Sequence, residues 1–379
     1  MRIGIDARPL QDHRYSGVSS YACNLLNEIL KKDKTNDYIF FYNSFRNPQV
    51  PLPFCDRENV KIAKYSLPNK FLNYAGFSLL NRPLLDRSLA VDFFFMPHIN
   101  HIALQRYDRL VLTIHDLSFM RNPEYFSARK NIWHKMIGVK SLIRKSARVV
   151  AVSENTKRDI IELCDVDEGK VEVIYSGLNF SADDVRRVEI GNSTRDKYGL
   201  VRPYIFFLGN IEPRKNIVSI IKAYERMCID KNFECDLVLA GESGWKCANI
   251  YETVKYSPSS DRIRFLGYVS ESERIELYKN AVMLILPSFY EGFGFPPLEA
   301  MACGTPVITS NISSLPEITG SSAILVNPHD IGDIYQAMKM LIDDESLRED
   351  YKRRGKERAK NFMWSKAAEA YLEIFMSFI

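Results

Sequence analysis

The sequence predicts an α/β protein built of two parallel, doubly wound sheets. Short apolar runs alternate with helical stretches, the alternation recurs in each half, and 379 residues with 46% hydrophobic content suffice for two domains that each bury a core. Parallel strands need crossover helices, and helices on both faces of a sheet bury each strand twice. Such strands read as continuous apolar runs rather than alternating ones.

In the first half these runs are MRIGID at the start, YIFFY at 38–42, VKIAKY at 60–65, DFFFMP at 92–97, RLVLTIHD at 109–116, RVVAVS at 148–153 and VEVIYSG at 171–177. The second half repeats the scheme with PYIFFLG at 203–209, DLVLAG at 236–241, RIRFLG at 262–267, VMLILP at 282–287, PVIT at 306–309 and AILV at 323–326. Two Rossmann-like units follow. The polar stretch SADDVRRVEIGNSTRDKYG, about 181–199, is the linker, which divides the chain into domains 1–185 and 186–361. The final segment, FMWSKAAEAYLEIFMSFI at 362–379, is an amphipathic, aromatic-rich helix. No short-period repeat or low-complexity tract interrupts the pattern.

A net charge of +4 is too small to indicate a nucleic-acid partner. Seven scattered cysteines without a C-x-x-C pair indicate neither a disulfide framework nor a zinc site, and read as reduced cytoplasmic thiols. MRIGIDARP enters directly into a strand, and no stretch approaches the ~18 apolar residues of a membrane span, so a soluble or peripheral protein is expected. Charge is concentrated at 129–148, RKNIWHKMIGVKSLIRKSAR, which has seven basic residues and no acid. Ile132, Met136, Ile137, Val139, Leu142 and Ile143 recur there at helical spacing. Two readings stand: a core-facing helix with a solvated basic side, or an amphipathic helix for an anionic membrane surface.

The richest chemistry lies in SFYEGFGFPPLEAMACGTP, 288–306. Its glycines let the backbone at Phe293, Gly294 and Phe295 approach a sugar closely, and Pro296 and Pro297 suit the first turn of a helix. That helix end attracts phosphate. Glu299 is expected in the same turn, where its carboxylate accepts from the vicinal hydroxyls of a ribose, while Glu291 across the loop accepts from a sugar. In GNIEPRKN, 209–216, Arg214 and Lys215 follow a strand at the start of a helix, forming a clamp for a diphosphate. Ligands of such sheets bind beyond the carboxyl ends of the strands. Gly17 in YSGVSSY, with Ser16, His115 in LTIHD, and Gly267-Tyr268 occupy equivalent loops. The pair Asp165 and Asp167 has the D-x-D form of a metal site but sits in a polar loop, CDVDEGK, and reads as solvated acid.

The string from 288, with its two glutamates at E-x7-E spacing, resembles the signature of retaining glycosyltransferases of family 4, as does the R-K-N loop. This resemblance implies the GT-B architecture, two Rossmann-like domains facing across a cleft. The N-terminal domain would bind the acceptor and the C-terminal domain the nucleotide-sugar donor, with the last helix returning to the N-terminal domain; a membrane-contacting tail is the alternative for that helix. It further implies that Gly17 faces the diphosphate, His115 bonds the transferred sugar and acts with Glu291 in catalysis, and Gly267 and Tyr268 lie against the nucleobase. No metal and no resident cofactor are expected. IDARPL and SGVSSY look most like bacterial enzymes of O-antigen or other surface polysaccharide assembly, many of which use GDP-mannose. A UDP-hexose or UDP-N-acetylhexosamine is the other donor class, and the acceptor is a saccharide or lipid-linked saccharide. A nucleotide-sugar 2-epimerase shares the architecture but lacks EGFGFPPLEA, and a non-catalytic nucleotide-sugar-binding module need not keep His115 and Glu291. A Rossmann oxidoreductase is disfavoured because neither half opens with G-x-G-x-x-G.

Overall fold

The computed structural model describes residues 1–11, 17–45, 53–180, 182–188, 193–230 and 233–378. Each of the thirteen predicted strand runs forms a strand, and the chain divides into two units. The first comprises Met1–Arg121, Ala128–Asn179 and Met363–Ile379, and the second Asn122–Ser127 with Phe180–Phe362.

In the first unit β1 (Arg2–Asp6), β2 (Asp37–Asn43), β3 (Val60–Tyr65), β4 (Phe93–Met96), β5 (Leu110–Ile114), β6 (Arg148–Ala151) and β7 (Val171–Val173) form one parallel sheet, ordered β3-β2-β1-β4-β5-β6-β7. The inner strands are buried along nearly their whole length, as the apolar runs required. Edge strand β3 instead exposes Lys61 and Lys64, charges that discourage further pairing. The helix Trp364–Met376 packs on the helix Gly17–Lys32. Its Tyr371 hydroxyl lies 2.7 Å from both Tyr21 Oη and Thr113 Oγ1, and Phe375 packs on Phe93 and Phe95. The aromatic face of this last helix is thus spent on the core rather than left for a membrane.

The stretch expected as one basic helix is two. Gly138 adopts φ +65°, a left-handed conformation that ends the helix Ala128–Ile137 before Val139–Lys145 begins. Val139, Leu142 and Ile143 of the second piece are buried, whereas no residue of the first is. The core-facing reading therefore describes only the second piece, and the first leaves its side chains outside the core.

The second unit holds β8 (Tyr204–Leu208), β9 (Asp236–Ala240), β10 (Ile263–Gly267), β11 (Met283–Leu286), β12 (Val307–Ser310) and β13 (Ile324–Val326), ordered β10-β9-β8-β11-β12-β13 and parallel throughout. Strand order reverses between β1 and β4 in one sheet and between β8 and β11 in the other, the switch points at which such sheets take ligands. The expected linker is partly helical, at Ala182–Arg187 and Ser193–Tyr198. The buried Glu276 accepts hydrogen bonds from Ser193 Oγ and from Thr194 N and Oγ1, which docks that end of the segment onto the second unit. Residues 181 and 189–192 of the linker, and Ser16, lie outside the described residues.

Candidate active site

The loop after β8 and the loop after β11 flank the switch point of the second sheet, and their charged residues meet there. Pro213–Lys215 forms a single 3₁₀ turn, followed by Asn216 at φ +59° and the helix Ile217–Met227. Asparagine tolerates this left-handed conformation. Its Nδ2 donates to the carbonyls of Pro287 and Pro328, which ties the two loops together. Arg214 Nη1 donates to Tyr290 O at 2.6 Å and to Glu291 Oε2 at 3.1 Å, while Nε and Nη2 hold Glu212 Oε1. Lys215 Nζ donates to Glu291 Oε1 at 2.6 Å, and Ser288 Oγ donates to the same oxygen at 2.7 Å. Lys215, Glu212 and Glu291 are all buried.

Burial alone would raise the Glu291 carboxyl; the Lys215 and Arg214 charges and the Ser288 hydroxyl outweigh it and hold the group at about 2. The cluster is a buried two-cation, two-carboxylate network whose geometry is set by short bonds. A carboxylate with both oxygens fixed by cations keeps those cations aimed at one place. An incoming diphosphate offers the same cations a more highly charged set of acceptors.

The helix Phe295–Cys303 starts with Pro296 and Pro297, and Gly294 precedes it at φ +109°. A Cβ at Gly294 would stand 2.9 Å from Leu315 Cδ2, so this entry turn needs glycine. Two prolines without N–H, and a Leu298 N–H given to Gly294 O, leave this helix end fewer donors for an anion than a usual helix N-terminus. The Phe293 ring packs on Phe295 and Phe362, so what Phe293 presents beyond the core is backbone. Glu299 stands one turn inside the helix rather than in its first turn. It is 1% exposed, accepts from Tyr278 Oη at 3.1 Å and faces Arg274 Nη1 at 3.6 Å.

The loops after β8, β9 and β10 are stitched in a row. Gly209 N donates to Ala240 O, Ile211 N to Glu242 O and Gly241 N to Gly267 O. A Cβ on Gly241 would fall 2.0 Å from Gly209 O, which is how closely these backbones approach. At the far end of the row Gly267 and Tyr268, with Gly241, Ser243, Tyr251 and Phe265, line an open pocket of about 420 Å³. Tyr268 is half exposed, and Tyr251 Oη is 2.6 Å from Ser243 Oγ. Flat aromatic walls at one end and cations at the other suit a planar ring joined to a diphosphate.

Gly17 and His115 belong to the first unit. Gly17 is the first residue of its helix, and none of the described residues stands within 4 Å of where a Cβ would be. His115 follows β5, and its Nε2 lies 2.8 Å from Pro97 O. A carbonyl only accepts, so Nε2 carries the hydrogen and Nδ1 is the acceptor. Burial favours the neutral ring, moving its pKa downward, and the Tyr21 ring packs edge-on against it at 4.5 Å. Asp165 pairs with Arg144, and Asp167 accepts from Gly169 N, as surface acids do.

Residues 193–358 match the family described as glycosyl transferases group 1, and 15–182 match glycosyltransferase family 4. The O-antigen chain mannosyltransferase B of Escherichia coli is 32% identical over 273 residues, which is 72% of this chain and 69% of that protein. The chain belongs to glycosyltransferase family 4, the group 1 glycosyl transferases. The serotype-specific mannosyltransferase WbdA of Escherichia coli is 31% identical to this transferase over 70% of its chain, although that match spans only 33% of WbdA. Sucrose-phosphate synthase from Thermosynechococcus elongatus superposes on 100% of the transferase and 98% of its own chain, with a TM-score of 0.77 at 17% identity. The fold is GT-B. Both family matches are to glycosyltransferases, which gives the epimerase reading no support. The supporting residues that sequence reasoning missed in this transferase are Glu212, Asn216, Ser288, Arg274 and Tyr278. The first three sit inside the quoted motifs; nothing in the sequence around Arg274 and Tyr278 marks them.

Proposed function

We propose that this transferase moves a hexose, mannose from GDP-mannose, onto a saccharide or lipid-linked saccharide acceptor of a cell-surface polysaccharide, with retention and without a metal. The observation that carries the reading is the buried Arg214–Lys215–Glu291 cluster at the switch point of the second sheet. The mannosyl choice is supported by the O-antigen mannosyltransferases to which the chain is similar.

In this reading Arg214 and Lys215 hold the donor diphosphate and take up the charge that grows on it as the sugar departs, the charge a metal would otherwise neutralise. Gly17, in the first unit, is assigned to the diphosphate on the family resemblance alone. Glu291 holds the cations in register and accepts from hydroxyls of the transferred sugar, which lies along the backbone of Phe293, Gly294 and Phe295. His115 Nδ1 accepts from another hydroxyl of that sugar. The base lies on Gly267 and Tyr268, and Glu299, braced by Arg274, serves the ribose. The bond from the anomeric carbon to the diphosphate oxygen breaks as the acceptor oxygen bonds the same face, and the acceptor proton passes to the leaving diphosphate. Thermal denaturation with GDP-, UDP-, ADP- and dTDP-sugars tests the donor. GDP-mannose at about 100 times its Kd is expected to add roughly 2.7 kcal/mol of apparent stability, and a response to UDP-sugars alone would overturn the donor assignment.

We also infer peripheral attachment to an anionic membrane surface at the cytoplasmic face. No helix of the described residues is long and apolar enough to cross a membrane. The helix Ala128–Ile137 exposes Ile132 and Met136, at 58% and 46%, in a basic segment, which suits the boundary of an anionic bilayer.

A further inference from the structure

Glu212 stands directly ahead of the Pro213–Lys215 turn and is 1% exposed. Its two oxygens are used unequally. Oε1 accepts from Arg214 Nε at 3.1 Å and from Nη2 at 2.8 Å, whereas Oε2 is sealed from solvent and has no hydrogen-bond partner among the described residues. The loop after β9 packs on this side chain, since a Cβ on Gly244 would stand 3.2 Å from Glu212 Cβ and 3.5 Å from Oε2. Glu291 is different: Lys215 and Ser288 take one of its oxygens and Arg214 the other. Bracing Arg214 through Oε1 asks only for a neutral acceptor, and the amide oxygen of a glutamine would supply one. A buried carboxylate with an unused oxygen is costly, so hydrogen bonding does not account for the negative charge of Glu212.

What that charge contributes is a field. With it, the two cations and two carboxylates of the network balance; without it, Arg214 and Lys215 leave one positive charge in excess. A nucleotide sugar and the nucleotide it releases are not equally charged, because the terminal phosphate of the product ionises twice near neutral pH and the sugar-linked phosphate only once. A clamp with excess positive charge therefore holds the product more tightly than the donor, and turnover stalls on release. Glu212 opposes this from across the Arg214 guanidinium and needs no contact with the ligand. Like charges roughly 6 Å apart at a buried site shift an affinity by about tenfold or more. We propose that Glu212 tempers the diphosphate clamp: its charge repels the nucleoside diphosphate product more than the donor and so speeds product release. The inference rests on the donor-diphosphate role proposed above for Arg214 and Lys215.

The test compares Glu212→Gln with the wild type, both as the full chain, by calorimetric titration of guanosine, GDP and GDP-mannose and by GDP inhibition of steady-state turnover. Glutamine keeps an acceptor oxygen for Arg214 and removes only the charge. In the variant GDP should bind about tenfold tighter, GDP-mannose should gain less, and guanosine, which has no phosphate, should be unchanged. The ratio of the GDP inhibition constant to the KM for GDP-mannose should fall. A merely structural residue would not tighten a charged ligand on removal and leave the neutral one alone. Unchanged or weaker GDP binding in Glu212→Gln overturns the proposal, and so does loss of guanosine binding there, which would mean that the charge holds the loops themselves. One arm needs no variant: a wild type that binds GDP roughly tenfold or more tighter than GDP-mannose contradicts the tempering whatever the variant does. If the wild type binds GDP and Glu212→Gln does not bind it tighter, the donor reading stands and only the role of Glu212 fails. A wild type that binds no GDP strikes the donor reading itself, and the tempering with it.

Discussion

At the scale of residues, the account turns on Arg214, Lys215 and Glu291. Arg214→Ala and Lys215→Ala should each weaken GDP binding by about 1.5–3 kcal/mol, the worth of a charged hydrogen bond, and calorimetric titration measures it. Lys215→Ala also strips a buried carboxylate of its nearest cation. It should therefore lower folding stability by roughly 2–3 kcal/mol, and the pair Lys215→Ala/Glu291→Gln should regain part of that loss without regaining GDP affinity. Equal urea midpoints for the single and double variants would show that the ion pair does not hold the loops. The low Glu291 pKa gives a further check. A carboxyl depressed in the folded state stabilises fully above its ordinary value of 4.5 and loses that contribution as pH falls toward about 2. Melts from pH 6 down to pH 2.5 should fall less steeply in Glu291→Gln, with the difference reaching roughly 3 kcal/mol. The three charges were legible because motif and residue type coincide. The partners that set their geometry were less so: Ser288 and Asn216 look like ordinary loop residues, and Arg274 meets Glu299 only through folding.

At the scale of elements, the last helix and the basic helix carry the predictions. Tyr371→Phe removes the hydroxyl that joins Tyr21 to Thr113 and leaves two buried polar groups short of a partner, so stability should drop by about 1–3 kcal/mol in urea titration. A neutral result would mean that this helix is held by its aromatic packing alone. For the membrane, Ile132→Ser/Met136→Ser should reduce sedimentation with anionic vesicles, and salt should release the wild type, at roughly 1 kcal/mol per basic residue near the surface. Equal sedimentation with neutral and anionic vesicles at low salt would contradict that role. Strands were readable because burial on both faces leaves long apolar runs such as YIFFY and YIFFL. The break at Gly138 was not, because an isolated glycine inside a helical pattern is compatible with a continuous helix, and only the left-handed φ reveals the stop. The docking of Ser193 and Thr194 onto Glu276 was hidden for the same reason that long-range pairs usually are: a polar stretch carries no periodicity.

At the scale of the whole molecule, two sheets of like strand order place their glycine-bearing and charged loops beyond carboxyl strand ends, and the sequence pattern foretold that repetition before any contact was visible. The charged and glycine-bearing loops after β8, β10 and β11 were legible because each is a local motif. The most direct measurement of the central claim is NMR analysis of the product formed from GDP-mannose and a mannoside acceptor in the presence of EDTA. The account predicts a new α-mannosidic linkage, formed at an undiminished rate with the metal chelated and lost in Arg214→Ala/Lys215→Ala. A β-linked product, or a reaction abolished by EDTA and restored by a divalent metal, would contradict it.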